Sequence, residues 1–138
     1  MVSYVVYGRG SFNQLDEILA PQRKGEAPMI FLVDHFFEGK PLASRVPLRG
    51  KDKIIFVDVT YEPKTTQVDK LAQGLKEEFG SISGVIGIGG GSAMDLAKAV
   101  SLMMTNPGSS ADYQGWDLVK FPGVYKAGIP TLSGTGAE

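Results

Sequence analysis

The feature that most constrains the fold is the stretch at residues 83–100, where a short apolar run meets three consecutive glycines. Residues 85–88 have the composition of a buried strand, and good helix formers occupy residues 92–104. Glycines let the backbone approach a ligand closely, and the first turn of a helix offers unpaired N–H donors at its positive end. A strand, a glycine turn and a helix N-terminus therefore predict a phosphate-binding loop.

The candidate phosphate ligands in this loop are Gly89, Gly90, Gly91 and Ser92. Ser92 stands where we expect the N-cap of the helix, so its hydroxyl can donate to the same anion. The loop differs from the usual dinucleotide fingerprint, because Ser92 rather than glycine comes three residues after Gly89. A plain tight connection between strand and helix is the alternative interpretation.

Asp95 and Lys98 lie three residues apart, on one face of the predicted helix. One interpretation is an ordinary intrahelical ion pair, which contributes a few tenths of a kcal/mol, about 0.2–0.5. The other is that the Asp95 carboxylate, close to a loop suited to anions, accepts a hydrogen bond from a hydroxyl or amide of the ligand. Asp95 is therefore a candidate cofactor-binding residue.

Strand and helix patterns alternate along the chain, which predicts an α/β fold: a Rossmann-like parallel sheet with helices on both faces. The length of 138 residues indicates one domain, residues 1–138. Ser11 is expected to cap the first helix, and Asn106 and Pro107 to stop the last one. The predicted strands are residues 2–7, 29–33, 54–57, 85–88 and 127–130, and the predicted helices are residues 12–19, 68–79 and 92–104.

Ligands of parallel sheets bind outside the carboxyl ends of the strands. Asp34, Thr60, the glycine loop and Thr131 all follow predicted strands, so we expect them at one edge. This convergence predicts a nucleotide site. The Asp34 carboxylate can accept hydrogen bonds from the two hydroxyls of an adenosine ribose, and an N-cap or a solvated strand end is the equal alternative.

The composition excludes several classes of partner and site. A net charge of −1 gives no reason to expect nucleic acid, and no apolar run approaches the roughly 20 residues of a membrane helix. The chain contains no cysteine, which is consistent with the cytoplasm. His35 is the only histidine, so it cannot build a metal site alone, and we expect it on the surface or satisfied by a neighbour.

Two motifs carry a resemblance to a known family. Residues 89–98 read Gly-Gly-Gly-Ser-x-x-Asp-x-Ala-Lys, which resembles the glycine motif of the iron-containing (group III) alcohol dehydrogenases. Residues 130–138 resemble that family's second nucleotide motif, Pro-Thr-Thr-x-Gly-Thr-Gly-Ser-Glu, although Leu132 replaces the second threonine. Glycerol dehydrogenases and dehydroquinate synthases share the first motif in a looser form, so a glycerol-dehydrogenase-like relative stays an alternative.

The resemblance implies an enzyme that passes a hydride from an alcohol to NAD with the help of Fe²⁺ or Zn²⁺. It implies that Asp34 contacts the adenosine side and disfavours NADP. Thr131 and Thr135 offer hydroxyls beside small residues, which suits a loop that closes over a cofactor. The family's metal ligands are one aspartate and three histidines in a helical domain beyond the second motif. We therefore expect this chain to be an N-terminal dinucleotide-binding domain, truncated at its C-terminal end, with no catalytic or metal-binding residue of its own.

The implied substrate is a small-molecule alcohol, and we expect a homodimer. Residues 112–123 resemble the branch that oxidises the terminal hydroxyl of an eight-carbon sugar acid, which makes a sugar or sugar-acid alcohol one expected substrate class. The alternative function is a non-catalytic nucleotide-binding module or fragment without chemistry of its own.

Overall fold

The computed structural model describes residues 11–61, 64–113 and 121–131. In these ranges the chain forms α1 (Leu15–Leu19), β1 (Met29–Asp34), α2 (Pro41–Ser44), β2 (Lys53–Val57), α3 (Thr65–Phe79), β3 (Gly84–Gly89), α4 (Gly91–Met103) and β4 (Tyr125–Pro130). Short 3₁₀ helices cover Ser11–Gln14, Ala20–Gln22, His35–Phe37 and Ser110–Tyr113. Within the described ranges, every helix is too short or too polar to cross a bilayer.

The four strands form one parallel sheet in the order β2-β1-β3-β4. The register places Asp34 opposite Val57, and Gly89 opposite Pro130, so the strands end together at one edge. The predicted Rossmann-like parallel sheet is confirmed. The strand predicted at residues 2–7 lies outside the described residues.

The strands bury side chains on both faces of the sheet, as their continuous apolar runs predict. On one face, Ile30 and Leu32 of β1 belong to a core that α3 and α4 complete. On the other face, Met29, Phe31 and Val33 pack with α1. All five of these β1 side chains are fully buried, and each burial contributes about 1.5–3 kcal/mol. Helices therefore cover both faces, as predicted.

Helix α4 lies unusually close to the sheet because glycine replaces a side chain where the two meet. A Cβ at Gly87 would lie 2.8 Å from the carbonyl oxygen of Ala93 and 2.9 Å from the Cβ of Ala97. A Cβ at Gly128 would lie 2.8 Å from Sδ of Met94. Small residues on β3, β4 and α4 thus let the helix backbone approach the strands, which fixes the position of the helix N-terminus.

A buried carboxylate joins segments at the opposite, amino-terminal edge of the sheet. The Asp52 side chain is fully buried and accepts two hydrogen bonds from the Arg23 guanidinium, at 2.9 and 2.7 Å. It also accepts from the N–H groups of Met29 and Arg49. Burial alone raises the pKa of Asp52, but these four hydrogen bonds and the Arg23 charge bring that pKa below its usual value. Asp52 therefore stays ionised and holds the start of β1 to the segment before β2.

Several predicted boundaries were wrong. Ser11 does not cap an α-helix: it begins a 3₁₀ turn, and Gln14 is the N-cap of α1. No element was predicted between residues 104 and 127, but a 3₁₀ turn covers Ser110–Tyr113, and β4 begins at Tyr125. The pairing of Tyr125 with Gly84 of β3 makes this strand begin before the apolar residues from which it was predicted.

Gly87→Ala should lower the free energy of unfolding by about 1–3 kcal/mol, because the added methyl group meets backbone atoms that cannot move independently. Gly74→Ala is the matched control, since a Cβ at this exposed position of α3 meets no atom within 4 Å. It should raise stability by about 0.5–1 kcal/mol, the usual gain of alanine over glycine inside a helix. Urea unfolding of both variants measures the two effects, and a neutral Gly87→Ala would contradict the close helix–sheet contact.

Candidate functional site

The candidate site lies at the carboxyl edge of the sheet, between β1 and β3. From β1 the chain continues to β2 on one side, and β3 and β4 lie on the other side. The strand order therefore reverses between β1 and β3, and such a switch point opens a crevice above the sheet. Asp34 ends β1, Gly89 ends β3, and Thr131 follows β4.

Gly89 brings these three strand ends into contact. Its φ of 152° lies in the region that favours glycine. A Cβ here would lie 2.9 Å from the Cβ of Ala93 and 3.0 Å from the Cβ of Asp34. The N–H of Thr131 donates to the carbonyl oxygen of Gly89 at 3.0 Å. The structure thus brings together Asp34, Gly89 and Thr131, which the sequence placed at the same edge.

The N-terminus of α4 opens into this crevice. Gly90 is the N-cap, with φ −83° and ψ −168°, and no side chain caps the helix. The prediction that Ser92 is the N-cap was wrong, because the helix already begins at Gly91 and Ser92 is its second residue. The N–H groups of Gly91 and Ser92 precede the first intrahelical hydrogen bonds, so the helix offers them no acceptor. They are suited to an anion.

The side-chain position of Gly91, at the start of α4, is free of atoms from neighbouring described segments. A Cβ at Gly91 would meet nothing within 4 Å, and Gly91 is exposed. No acidic side chain lies in the first turn of α4 to compete for the positive end of the dipole. The first turn of α4 therefore contributes no acidic side chain that would repel an incoming phosphate.

Asp95 lies further along α4 than the sequence suggested. It is the fifth residue of the helix, beyond the first turn, and its side chain is exposed, as is that of Lys98. No ion pair joins these two described residues, so the ordinary intrahelical pair is not formed. Asp95 is accessible to a ligand but lies outside the contact cluster around Gly89.

The Asp34 carboxylate is held at the end of β1 by its neighbours. Its Oδ1 accepts a hydrogen bond from the N–H of Phe36 at 3.0 Å, which caps the 3₁₀ helix at His35–Phe37. His35 Nδ1 lies 3.3 Å from the same oxygen and 3.2 Å from the carbonyl oxygen of Val57. The N-cap interpretation of Asp34 is confirmed for Oδ1. Oδ2 has no hydrogen-bond partner among the described residues, and the ribose interpretation stays a prediction.

A second carboxylate, which the sequence interpretation missed, stands at the same edge. Asp58 follows β2, and its Oδ1 accepts from the N–H and the hydroxyl of Thr60 at 3.0 and 2.6 Å. These bonds, the hydroxyl first, lower the pKa of Asp58. Thr60 was expected at the site, but its hydroxyl donates its hydrogen to the Asp58 carboxylate. The Asp-x-Thr spacing, typical of a local Asx turn, is the signal that could have indicated this.

The remaining candidate, Thr135, lies outside the described residues, as does the rest of the second motif after Thr131. Among residues 11–61, 64–113 and 121–131, no three His, Cys, Asp or Glu side chains come together as a metal site. The described edge therefore combines a helix N-terminus, two carboxylates and close backbone contacts.

Comparison with known proteins identifies relatives along almost the whole chain. The family described as iron-containing alcohol dehydrogenase matches residues 3–138. The NAD-dependent methanol dehydrogenase of Bacillus methanolicus is 33% identical over 137 residues, which cover 96% of this chain and 35% of that protein. Long-chain-alcohol dehydrogenase 1 of Geobacillus thermodenitrificans is 34% identical, over 95% of this chain and 34% of that protein.

Among solved structures, the sulfoacetaldehyde reductase of Bifidobacterium kashiwanohense in complex with NAD⁺ superposes with a TM-score of 0.74 at 26% identity. The match covers 100% of this chain and 38% of that one. The chain thus spans about a third of the length of the curated relatives it matches.

Proposed function

Because this chain belongs to the iron-containing alcohol dehydrogenase family, we propose that it supplies the NAD-binding part of a metal-dependent alcohol dehydrogenase. The observation that carries the proposal is the open N-terminus of α4, at the point where the strand order reverses. Two relatives whose names or structures include NAD support the choice of cofactor. We propose residues 1–138 as the N-terminal dinucleotide-binding domain of the enzyme.

The described residues fit a dinucleotide. The N–H groups of Gly91 and Ser92, with the Ser92 hydroxyl, would hold the pyrophosphate beside Gly91, where an added Cβ meets no atom within 4 Å. Gly89 and Gly90 would form the part of the loop that precedes these N–H groups. The free Oδ2 of Asp34 would accept from the ribose hydroxyls, and Thr131 and Asp95 would contact the cofactor from either side of the loop. We propose the same for Thr135, by resemblance alone.

The order of the strands suggests how the dinucleotide would lie. Across the edge come Asp58, then Asp34, then the α4 N-terminus, then Thr131, because the sheet order is β2-β1-β3-β4. The two carboxylates favour the hydroxyls of a ribose and repel phosphate, whereas the helix N-terminus attracts phosphate. The family resemblance favours adenosine as the ribose at Asp34. We infer that adenosine lies over β1 and the nicotinamide lies beyond β4. When bound, NAD supplies the acceptor for the hydride of a small-molecule alcohol.

The described residues do not fit a metal, because no set of three ligands converges among them. We therefore assign Fe²⁺ or Zn²⁺ to residues outside the described part, and no catalytic residue to residues 11–61, 64–113 or 121–131. A sugar or sugar-acid alcohol remains our proposed substrate class. We also propose, from the family resemblance, a homodimer, and we propose a cytoplasmic location.

Gly91→Val in the complete gene product should weaken NAD binding by about 2 kcal/mol or more, because a branched side chain would occupy the space of the pyrophosphate. The variant should fold, since a Cβ at this position meets no protein atom within 4 Å. Gly74→Val on exposed α3 is the matched control and should leave NAD affinity unchanged. Calorimetric titration measures both, and an unchanged affinity in folded Gly91→Val would remove the loop from the site.

Asp34→Asn should narrow the preference for NAD over NADP by about tenfold or more. The asparagine oxygen can still accept from the Phe36 N–H, but the charge that repels a 2′-phosphate is gone. Like charges in an interface cost on the order of several kcal/mol, and about 1.4 kcal/mol corresponds to tenfold. The dissociation constants of both nucleotides give the ratio. A parent protein that binds NADP as tightly as NAD would contradict the assignment of Asp34.

Chelation should abolish alcohol oxidation by the complete gene product, and Fe²⁺ or Zn²⁺ should restore it. NAD binding should survive chelation within about twofold, because the proposed cofactor-binding residues include no metal ligand set. Parallel assays of activity and of NAD affinity separate the two functions. Alcohol oxidation that resists a chelator would rule out the metal mechanism, and binding of NAD without any oxidation under all conditions would favour the non-catalytic alternative.

A further inference from the structure

The imidazole of His35 bridges the ends of β1 and β2 at the edge where the adenosine ribose is proposed to bind. Its Nδ1 lies 3.2 Å from the carbonyl oxygen of Val57 and 3.3 Å from Oδ1 of Asp34. Both neighbours are acceptors, so Nδ1 must carry a hydrogen and donate it. The lone pair of the neutral ring is therefore on Nε2, and a second proton binds there without breaking the contact to Val57.

Protonation would thus change the charge beside Asp34 without moving the ring. The described charged groups that face His35 are Asp34 at the end of β1 and Asp58 just after β2. The pKa of Asp58 is lowered chiefly by the hydrogen bonds from Thr60 and in small part by His35. Helix α2, which packs against this turn, contains no ionisable residue. Lys40 lies over the ring of Phe36, 4.3 Å from its centroid, and Glu38 is exposed three residues along the chain.

We propose that His35 is a positioning residue for Asp34 and sets how strongly the site discriminates NAD from NADP as the pH changes. The inference depends on the proposed NAD site. With neutral His35, the Asp34 charge repels a 2′-phosphate in full. With protonated His35, the imidazolium offsets part of that charge 3.3 Å from Oδ1, so NADP is tolerated better.

The test measures the dissociation constants of NAD and NADP for the complete gene product between about pH 5.5 and 8.5, where histidine commonly titrates. The preference for NAD should narrow as the pH falls. The 2′-phosphate itself takes up a proton near about pH 6, which narrows the preference in any protein. His35→Gln is therefore the matched control, because its amide can donate to Val57 but does not titrate. In this variant, the change of the NAD preference with pH comes from protonation of the 2′-phosphate alone.

Between about pH 8.5 and 5.5, the ratio of the NADP to the NAD dissociation constant should fall about three- to tenfold more in the parent protein than in His35→Gln. His35→Lys, charged throughout, should show the narrowed preference already near about pH 8. In an Asp34→Asn background, exchanging His35 for glutamine should change the pH slope much less, because the charge that His35 offsets is absent.

Equal pH slopes in the parent protein and in His35→Gln would overturn the inference while leaving the NAD site intact. An undiminished His35 effect in the Asp34→Asn background would also overturn it, because the imidazole would then act without Asp34. A folded parent protein that binds neither nucleotide at any pH would instead refute the proposed function on which the inference rests. The three results are distinguishable in one set of titrations.

Discussion

The close contact between α4 and the sheet is the constraint on which the site depends. Gly87 leaves no space for even a methyl group, because the carbonyl oxygen of Ala93 would lie 2.8 Å away. Ala93 and Ala97 are buried on the facing side of the helix. Since two backbones in contact cannot slide without losing dispersion contacts along their whole length, the N-terminus of α4 is fixed relative to the ends of β1 and β3. A phosphate-binding helix end requires this fixed geometry.

The two edges of the sheet use carboxylates in opposite ways. At the amino edge, Asp52 is fully buried, and its two oxygens accept four hydrogen bonds from Arg23, Met29 and Arg49. It has no capacity left for a ligand and serves stability. At the carboxyl edge, Asp34 is only partly buried, and Oδ2 accepts no hydrogen bond from the described residues. An aspartate thus joins segments of the domain at the amino edge, whereas at the carboxyl edge an aspartate oxygen is available to accept a hydrogen bond.

The sequence predicted the elements whose causes are local. Continuous apolar runs indicated β1 and β3, the apolar stripe indicated α3, and Asn106 and Pro107 marked the end of α4. It could not predict bonds between distant segments. The buried Asn106 side chain accepts from the N–H of Phe121 and donates to its carbonyl oxygen, which ties the connection before β4 to α4. No local pattern distinguishes this asparagine from an ordinary helix stop.

The candidate site follows the same division. The strand–glycine–helix order predicted Gly89, Gly90 and Gly91 from backbone sterics, and the alternation of elements predicted that Asp34 and Thr131 would meet them. The N-cap lies at Gly90, two residues before the predicted Ser92, because Gly90 itself adopts the extended backbone of an N-cap. The roles of Asp58 and His35 depend on the pairing of β2 with β1, which becomes apparent only when the sheet is assembled.

The arrangement of charge along this edge gives the site a direction. Two carboxylates follow β2 and β1, and the positive end of α4 follows β3, so negative and positive groups lie side by side along this edge. A dinucleotide carries its negative charge at its centre and its hydroxyls on the riboses. With phosphate at the helix and the adenosine ribose at Asp34, as proposed, the reactive ring is directed past β4. Under the proposed function, the sheet order together with the assignment of Asp34 to adenosine thus determines which end of the cofactor reaches the part of the enzyme where an alcohol is oxidised.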